Sequence, residues 1–323
     1  MTSILMDKSD KIVQVHWIGR FGNRMFEYSY GCCYAKLHGL KYYHPSDWEG
    51  STLFEGYENA EVQPDDLLRL KINQSNKEMD TTEYRKSAIQ EYNANNNDNI
   101  ELVNWNTSSA LCKTNVFFDD LNCMYFPHCF KLYDTDFIKN VVYKFKDEIR
   151  NSELFKALEK RKGTYDVIHL RRGDIASKSY HGAHSMISKK SYVNAVENAG
   201  FDISDFVWVS DDPNERTHHE WIDKCKNGHW AYPTGERQIP DVFFDFLPEF
   251  LIVYFARTVF RGNSAFSWWA AFLGDSKVYS PVITSKPTGK RNDFHEMDCE
   301  FVEGNHPHFM GSRGEGFHDI IFN

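Results

Sequence analysis

The chain has 323 residues, enough for two domains that each bury a core of their own. Its balance of 41% hydrophobic and 26% charged residues excludes a disordered or fibrous chain. A formal charge of −9 excludes the global positive field that a phosphate backbone needs, so nucleic acid is not an expected partner. An anionic substrate would then require a local cluster of arginine and lysine set against the overall sign.

The seven cysteines, at 32, 33, 112, 123, 129, 225 and 299, include no CxxC pair. That pattern favours reduced thiols and a cytoplasmic location. Residues 1–14 carry neither a basic start with a long apolar stretch nor a cleavage-like site, so no leader is expected. No apolar run approaches the ~18 residues of a membrane span. Glycosylation sequons at Asn73 and Asn106 are discounted for want of a leader.

Residues 11–17 read as a buried strand, followed at once by the glycine-bearing stretch 19–24 and a helical pattern over 25–37. Strand, glycine turn and helix make an α/β opening. Composition turns polar over 71–115, where Asn93, Asn95, Asn96, Asn97 and Asn99 crowd together, and a loop-rich insert is expected there. Residues 136–162 have helical spacing. The apolar runs 165–170 and 206–210 enclose a helix-like stretch, 189–200, which is βαβ spacing. A helix over 243–256, a strand over 258–261, a helix over 264–273 and a last strand over 277–280 follow. From 301 onward the chain reads as an irregular tail. The expected division is an N-terminal α/β domain, 1–160, carrying the Asn-rich insert; a C-terminal domain, 161–290; and a tail, 291–323, packing back on the body.

The strand ending at Leu170 delivers Arg171, Arg172, Gly173 and Asp174 into the loop at its carboxyl end, where open α/β sheets bind ligands. Adjacent arginines are costly to hold together unless an anion neutralises them, and a guanidinium fork matches a diphosphate better than an ammonium does. Asp174 is placed to pin one of them, and Gly173 permits close backbone approach. The plain alternative is a salt bridge closing a surface loop. Asp211 and Asp212 follow the second strand as ligand contacts or as a helix cap, with Pro213 favouring the cap for Asp212. Ser264 and Ser267 flank the start of an apolar helix, whose free N–H groups and dipole favour an anion. A simple N-cap is the other reading of Ser264, and Trp268 and Trp269 read as core.

These segments carry a resemblance. Residues 169–174, HLRRGD, resemble the HxRRxD motif shared by α1,2-, α1,6- and protein O-fucosyltransferases. Residues 209–213, VSDDP, resemble the second block of that superfamily, and residues 263–270, NSAFSWWA, the NSxFSWW run of bacterial α1,2 enzymes. Residues 19–26, GRFGNRMF, are similar to the GxxGNQMF opening of the same α1,2 group. Arg24 stands where the family usually has glutamine, and Ile175 where an aromatic often follows the aspartate.

The resemblance implies an α/β fold of two Rossmann-like domains facing a cleft, the GT-B type of glycosyltransferase, with the donor on the C-terminal domain. It implies an inverting fucosyltransferase with GDP-fucose as donor and a glycan as acceptor, α1,2 in linkage, needing no metal and no cofactor. The implied GDP-sugar site comprises His169, Arg171, Arg172, Gly22, Asn23, Asp211, Asp212, Asn263, Ser264, Phe266 and Ser267. Within it Arg171 and the helix start at Ser264 stabilise the leaving diphosphate. Asp211 or Asp212, with His169, reads the guanine edge. Asp174, Glu27 or Asn23 acts on the acceptor hydroxyl; Glu27, one helical turn past Asn23, points either the same way or to solvent.

Guanine and diphosphate contacts do not specify the sugar, so GDP-rhamnose or GDP-mannose would fit the same motifs. A glycan- or nucleotide-binding module without turnover is the non-enzymatic alternative, against which the retained charges of Arg171, Arg172 and Asp174 argue. Asp134 and Asp136 have the DxD spacing by which another glycosyltransferase fold holds Mn²⁺, but they precede a helical run, as an N-cap and a first-turn acid would. No nucleophile elbow and no HExxH spacing is present.

Overall fold

The computed structural model describes residues 11–14, 17, 20–62, 90–91, 93–95, 101–103, 116–118, 134–173, 186–227, 246–282 and 296–306. Both sequons, most of the Asn-rich insert and the tail beyond 306 lie outside them. The fold is α/β, and contacts divide the chain into two compact units, Met1–Lys144 and Phe145–Asn323. The stretch 145–160, placed with the first domain on sequence, packs within the second unit, where Phe145 meets Tyr254 and Phe155 meets Phe255 edge-on.

The first unit holds β1 (Lys11–Gln14), α1 (Phe21–His38), β2 (Lys41–His44), β3 (Ala60–Val62), β4 (Glu101–Val103) and β5 (Val116–Phe118). Its strands lie in the order β3-β2-β1-β5-β4 with every pair parallel. The strand β1 stops at Gln14 rather than at 17, and α1 begins at Phe21 rather than at 25, which puts Gly22 and Asn23 in its first turn. At its other end Gly39 takes the left-handed conformation, φ 66, and returns its N–H to the Ala35 carbonyl. Lys36 and His38 in the last turn complement the helix dipole. The strand β4 falls inside the stretch expected to be loop.

The helical stretch read at 136–162 is broken. A turn over Thr135–Phe137 runs into a π turn over Ile138–Val142, and Asp147–Arg150 and α2 (Glu153–Glu159) follow as separate pieces. The second unit continues with β6 (Asp166–Leu170), α3 (Lys189–Asn198), β7 (Phe206–Ser210), α4 (Glu220–Asn227), α5 (Leu247–Tyr254), β8 (Thr258–Phe260), α6 (Ala265–Gly274), β9 (Lys277–Val282) and β10 (Glu300–Glu303). The order is β10-β9-β8-β6-β7, parallel throughout except for β10, which runs antiparallel to β9. Lys277–Val282 is therefore not the last strand: the segment read as the start of an irregular tail adds an edge strand to this sheet.

Every residue of β6 is buried, as a parallel strand covered on both faces requires. One face packs Ile168, Leu170, Phe206, Phe260 and Tyr279 against Tyr192 and Val196 of α3. In that layer Phe260 and Tyr279 stack with ring centroids 4.3 Å apart. Trp268 and Trp269 of α6 are core residues, 1% and 0% exposed. Helices α5 and α6 meet so closely that a Cβ on Gly274 would sit 1.8 Å from the Tyr254 carbonyl oxygen. No helix among the described residues is long and apolar enough to cross a membrane.

Because the obstacle at Gly274 is backbone rather than a movable side chain, Gly274→Ala should destabilise the second unit by about 3 kcal/mol. Urea unfolding measures it, and an unchanged midpoint would contradict the close α5–α6 contact.

Candidate functional site

Strands β6, β7 and β8 are parallel neighbours, so their carboxyl ends at Leu170, Ser210 and Phe260 share one edge of the second sheet. The three sequence blocks of this unit follow those strand ends directly, on the edge where open α/β sheets hold ligands.

Arg172 binds the first block to the second. Its backbone N–H donates to Asp211 Oδ1 at 2.7 Å. The side chain, 4% exposed, donates from Nε to Glu215 Oε2 at 2.6 Å and from Nη1 to the Ile187 carbonyl at 2.9 Å, with Nη2 3.4 Å from Glu296 Oε1. Arg172 thus points into the protein, and its acidic partners are Glu215 and Glu296. Asp174, expected to pin one of the arginines, lies outside the described residues, as does Gly19. At Gly173 a Cβ would sit 2.2 Å from Asp211 Oδ2, so this position accepts no side chain while Asp211 holds the Arg172 N–H.

Arg171 binds the first block to the third, donating from Nη1 to the Asn263 carbonyl at 3.1 Å. His169, buried in β6, lays its ring against Phe266 of α6, centroids 5.8 Å apart and tilted by 31°. Asn263 is 1% exposed. Ser264 occupies the N-cap of α6 with extended backbone, φ −135 and ψ 128, but its hydroxyl makes no capping bond. The Ser267 hydroxyl turns back to the Ser264 carbonyl at 3.3 Å. The first-turn N–H groups of α6 are therefore not closed by the cap serine, unlike those of α3, where Ser188 accepts from the Ser191 N–H.

Of the two acids, Asp212 is the cap that Pro213 suggests: its Oδ1 accepts the Asn214 N–H at 2.9 Å and Asn214 Nδ2 at 3.1 Å. Asp211 holds the first block through one oxygen, as above.

In the first unit Gly22 is buried and Asn23 half-buried, and the Asn23 N–H donates to the Arg20 carbonyl at 2.8 Å. Glu27 does not face solvent, one of the two directions read for it on sequence. It is 1% exposed and faces the sheet, accepting from Gln14 Nε2 at 2.8 Å, while Gln14 Oε1 in turn accepts from Tyr42 Oη. These bonds put the position on the helix face turned to β1 and β2. Arg24, at the family's glutamine position, donates to the Asp47 carbonyl at 2.9 Å and lies 3.0 Å from Glu49 Oε1.

Asp134 caps its short helix by accepting the Phe137 N–H at 3.0 Å and pairs with Lys36 at 2.6 Å. The Lys36 ammonium holds its carboxyl below the usual range, and the Phe137 N–H helps. Among the described residues no group of histidine, cysteine, aspartate and glutamate is arranged to hold a metal ion.

No protein-family model matches the sequence, and no curated protein does. Among solved structures, the chain is similar to NodZ α-1,6-fucosyltransferase soaked with GDP-fucose, at 14% identity over 91% of this chain and 99% of that one, with a TM-score of 0.47. It is similar to fucosyltransferase NodZ from Bradyrhizobium at 13% identity over 91% and 99%, TM-score 0.46. The form of NodZ co-crystallized with GDP matches at 14% identity over 91% and 98%, TM-score 0.45.

Glu215, Glu296 and the Ile187 carbonyl, which together hold Arg172, escaped the sequence reading. They come from three separate stretches, and nothing in their spacing marks them as a set. The only local sign is that Glu215 sits at the end of the turn opened by Asp212 and Pro213. Removing the guanidinium leaves Glu215 without its closest cation, so Arg172→Ala should lower stability by about 3 kcal/mol, the low end for a buried pair because Glu215 is partly exposed. An Arg172→Ala protein that melts with the wild type would show that the residue is not a structural anchor.

Proposed function

We propose that the chain is a fucosyltransferase of the GT-B type, moving L-fucose from GDP-fucose to a sugar hydroxyl of a glycan with inversion. The α1,2 linkage follows the resemblance of residues 19–26 and 263–270. The observation that carries this reading is the bond from Arg171 to the Asn263 carbonyl. It brings the HxRRxD arginine to the start of α6, at the carboxyl edge of a parallel sheet, where a guanidinium and open helix N–H groups can grip one diphosphate.

In this proposal the acceptor oxygen attacks the anomeric carbon from the side opposite the diphosphate. The bond from that carbon to the phosphate oxygen breaks, and its electron pair leaves with GDP. Arg171 and the α6 start stabilise the negative charge that develops there, so the leaving group requires no divalent metal. Asp211 or Asp212 with His169 reads guanine, whose N1–H and 2-amino group offer two parallel donors to a carboxylate. Asp211 is the one of the two held at the strand ends, with Oδ1 on the Arg172 N–H and Oδ2 beside Gly173. The acceptor proton passes to a carboxylate, Asp174 before Glu27, because the buried bond from Gln14 makes Glu27 the weaker candidate; Asn23, an amide, can orient the hydroxyl but not take its proton.

Labelled GDP-fucose incubated with an acceptor array tests the activity, and GDP-mannose and GDP-rhamnose beside it test the sugar. Arg171→Ala and Arg171→Lys should each lower turnover by at least about 100-fold, because a flexible point charge does not replace the fork on the departing diphosphate. Near-normal turnover by the lysine variant would defeat the assignment of Arg171.

A further inference from the structure

Arg261, between β8 and the Gly262–Ser264 loop, is 0% exposed. Its guanidinium donates from Nε to Ser280 Oγ at 2.9 Å, from Nη1 to the Gly262 carbonyl at 3.1 Å and from Nη2 to the His306 carbonyl at 2.5 Å. All three acceptors are neutral, and among the described residues no carboxylate pairs with it. Burial pushes the guanidinium down to about 9, with the Tyr192 hydroxyl group opposing, which leaves it charged at neutral pH. Arginine and a wholly buried site with no counter-ion among the described residues are an expensive combination, so the positive charge has an electrostatic consequence nearby.

The nearest thing to receive it is the loop itself. Gly262 lies against the first block: a Cβ there would be 3.0 Å from the His169 carbonyl oxygen and 3.1 Å from its Nδ1. The next residue, Asn263, gives its carbonyl to Arg171, and the one after opens α6. Two guanidinium groups thus donate to the carbonyls of consecutive residues, immediately before a helix start that is itself partly positive. Cations and a helix N-terminus repel one another, and an anion on this loop relieves all of them together.

We infer that Arg261 is a positioning residue for the donor's diphosphate, holding the Gly262–Ser264 loop in shape and supplying positive charge to it from within the core. The inference rests on the proposed function and names a residue that the motif resemblance does not include. The same charge ties the loop to the chain's later segment: the His306 carbonyl also accepts Trp268 Nε1 at 3.1 Å, and Ser280 Oγ both donates to the Gly304 carbonyl at 2.6 Å and accepts the His306 N–H at 3.0 Å.

Those bonds make the test clean. In Arg261→Met the His306 carbonyl keeps Trp268 and Ser280 keeps both remaining partners, so only the Gly262 carbonyl loses its donor, and the buried charge is gone. Thermal melts should show a stability equal to or above that of the wild type. Calorimetric titration should show GDP affinity lowered by about 30-fold, the size expected for one charge acting over a short distance at an effective dielectric constant near 20. Guanosine, which lacks the diphosphate, should bind the variant as it binds the wild type, and Arg261→Lys should recover most of the GDP affinity. GDP binding unchanged in Arg261→Met, or GDP and guanosine weakened alike, would overturn the inference while leaving the proposed function standing. A wild-type protein that takes up no GDP would instead defeat the functional reading, and this inference with it. If Arg261→Met fails to fold, the uncharged but polar Arg261→Gln decides by the same readouts: a loss of about 30-fold confined to GDP supports the inference, and unchanged GDP binding overturns it.

Discussion

One carboxylate joins two strand ends in the second unit: Asp211, past β7, accepts the backbone N–H of Arg172, past β6. This bond fixes the direction of the chain as it leaves β6, and successive side chains of an extended chain point opposite ways. Arg172 is therefore sent inward to Glu215 and the Ile187 carbonyl, and Arg171 is sent the other way, to the Asn263 carbonyl. The two adjacent guanidinium groups, which would repel if they shared a face, are separated into a structural one and one on the open edge. Gly173 follows from the same bond, since any Cβ there would collide with the Asp211 carboxylate.

The chain carries a net charge of −9, yet Arg171 and Arg261 both donate to the loop that opens α6, while Arg172 is turned inward. Arg172 is met by two carboxylates, Glu215 and Glu296, which neutralise it locally. Arg261 is held by a hydroxyl and two carbonyls. A positive patch in an acidic protein, backed by a low-dielectric core, concentrates its field on whatever anion reaches it. The loop between β8 and α6 is the place where that field and the helix dipole act in the same sense.

The sequence disclosed the elements whose patterns are long enough to be periodic or apolar throughout. Strands β6 and β7, buried on both faces, and the helices α3 and α6 were legible for that reason. Strands β3 and β4, of three residues each, leave no alternation to read, and β10 has charged ends because it lies at a sheet edge. The stretch read as one helix over 136–162 is broken by a π turn at Ile138–Val142, a local change of hydrogen-bond register that hydrophobic spacing does not record. Within the site, motif order gave Arg171 and Asn263 as members of one set, but not the bond between them. It could not tell the inward arginine from the outward one, because that depends on Asp211, brought in from the neighbouring strand. Helical spacing puts Glu27 on the face of Asn23, but it does not disclose the bond from Gln14, which comes from a separate strand. Arg261 was invisible, since a lone arginine between an apolar strand and a glycine reads as surface.

The central claim is that the carboxyl edge of the second sheet receives a guanine nucleotide diphosphate. Hydrogen–deuterium exchange with saturating GDP, with UDP as the comparison, tests it most directly. The account predicts slower exchange at residues 169–173 and at the α6 start, 262–267, with GDP and little change there with UDP. Protection confined to other segments, or equal protection by both nucleotides, would contradict it.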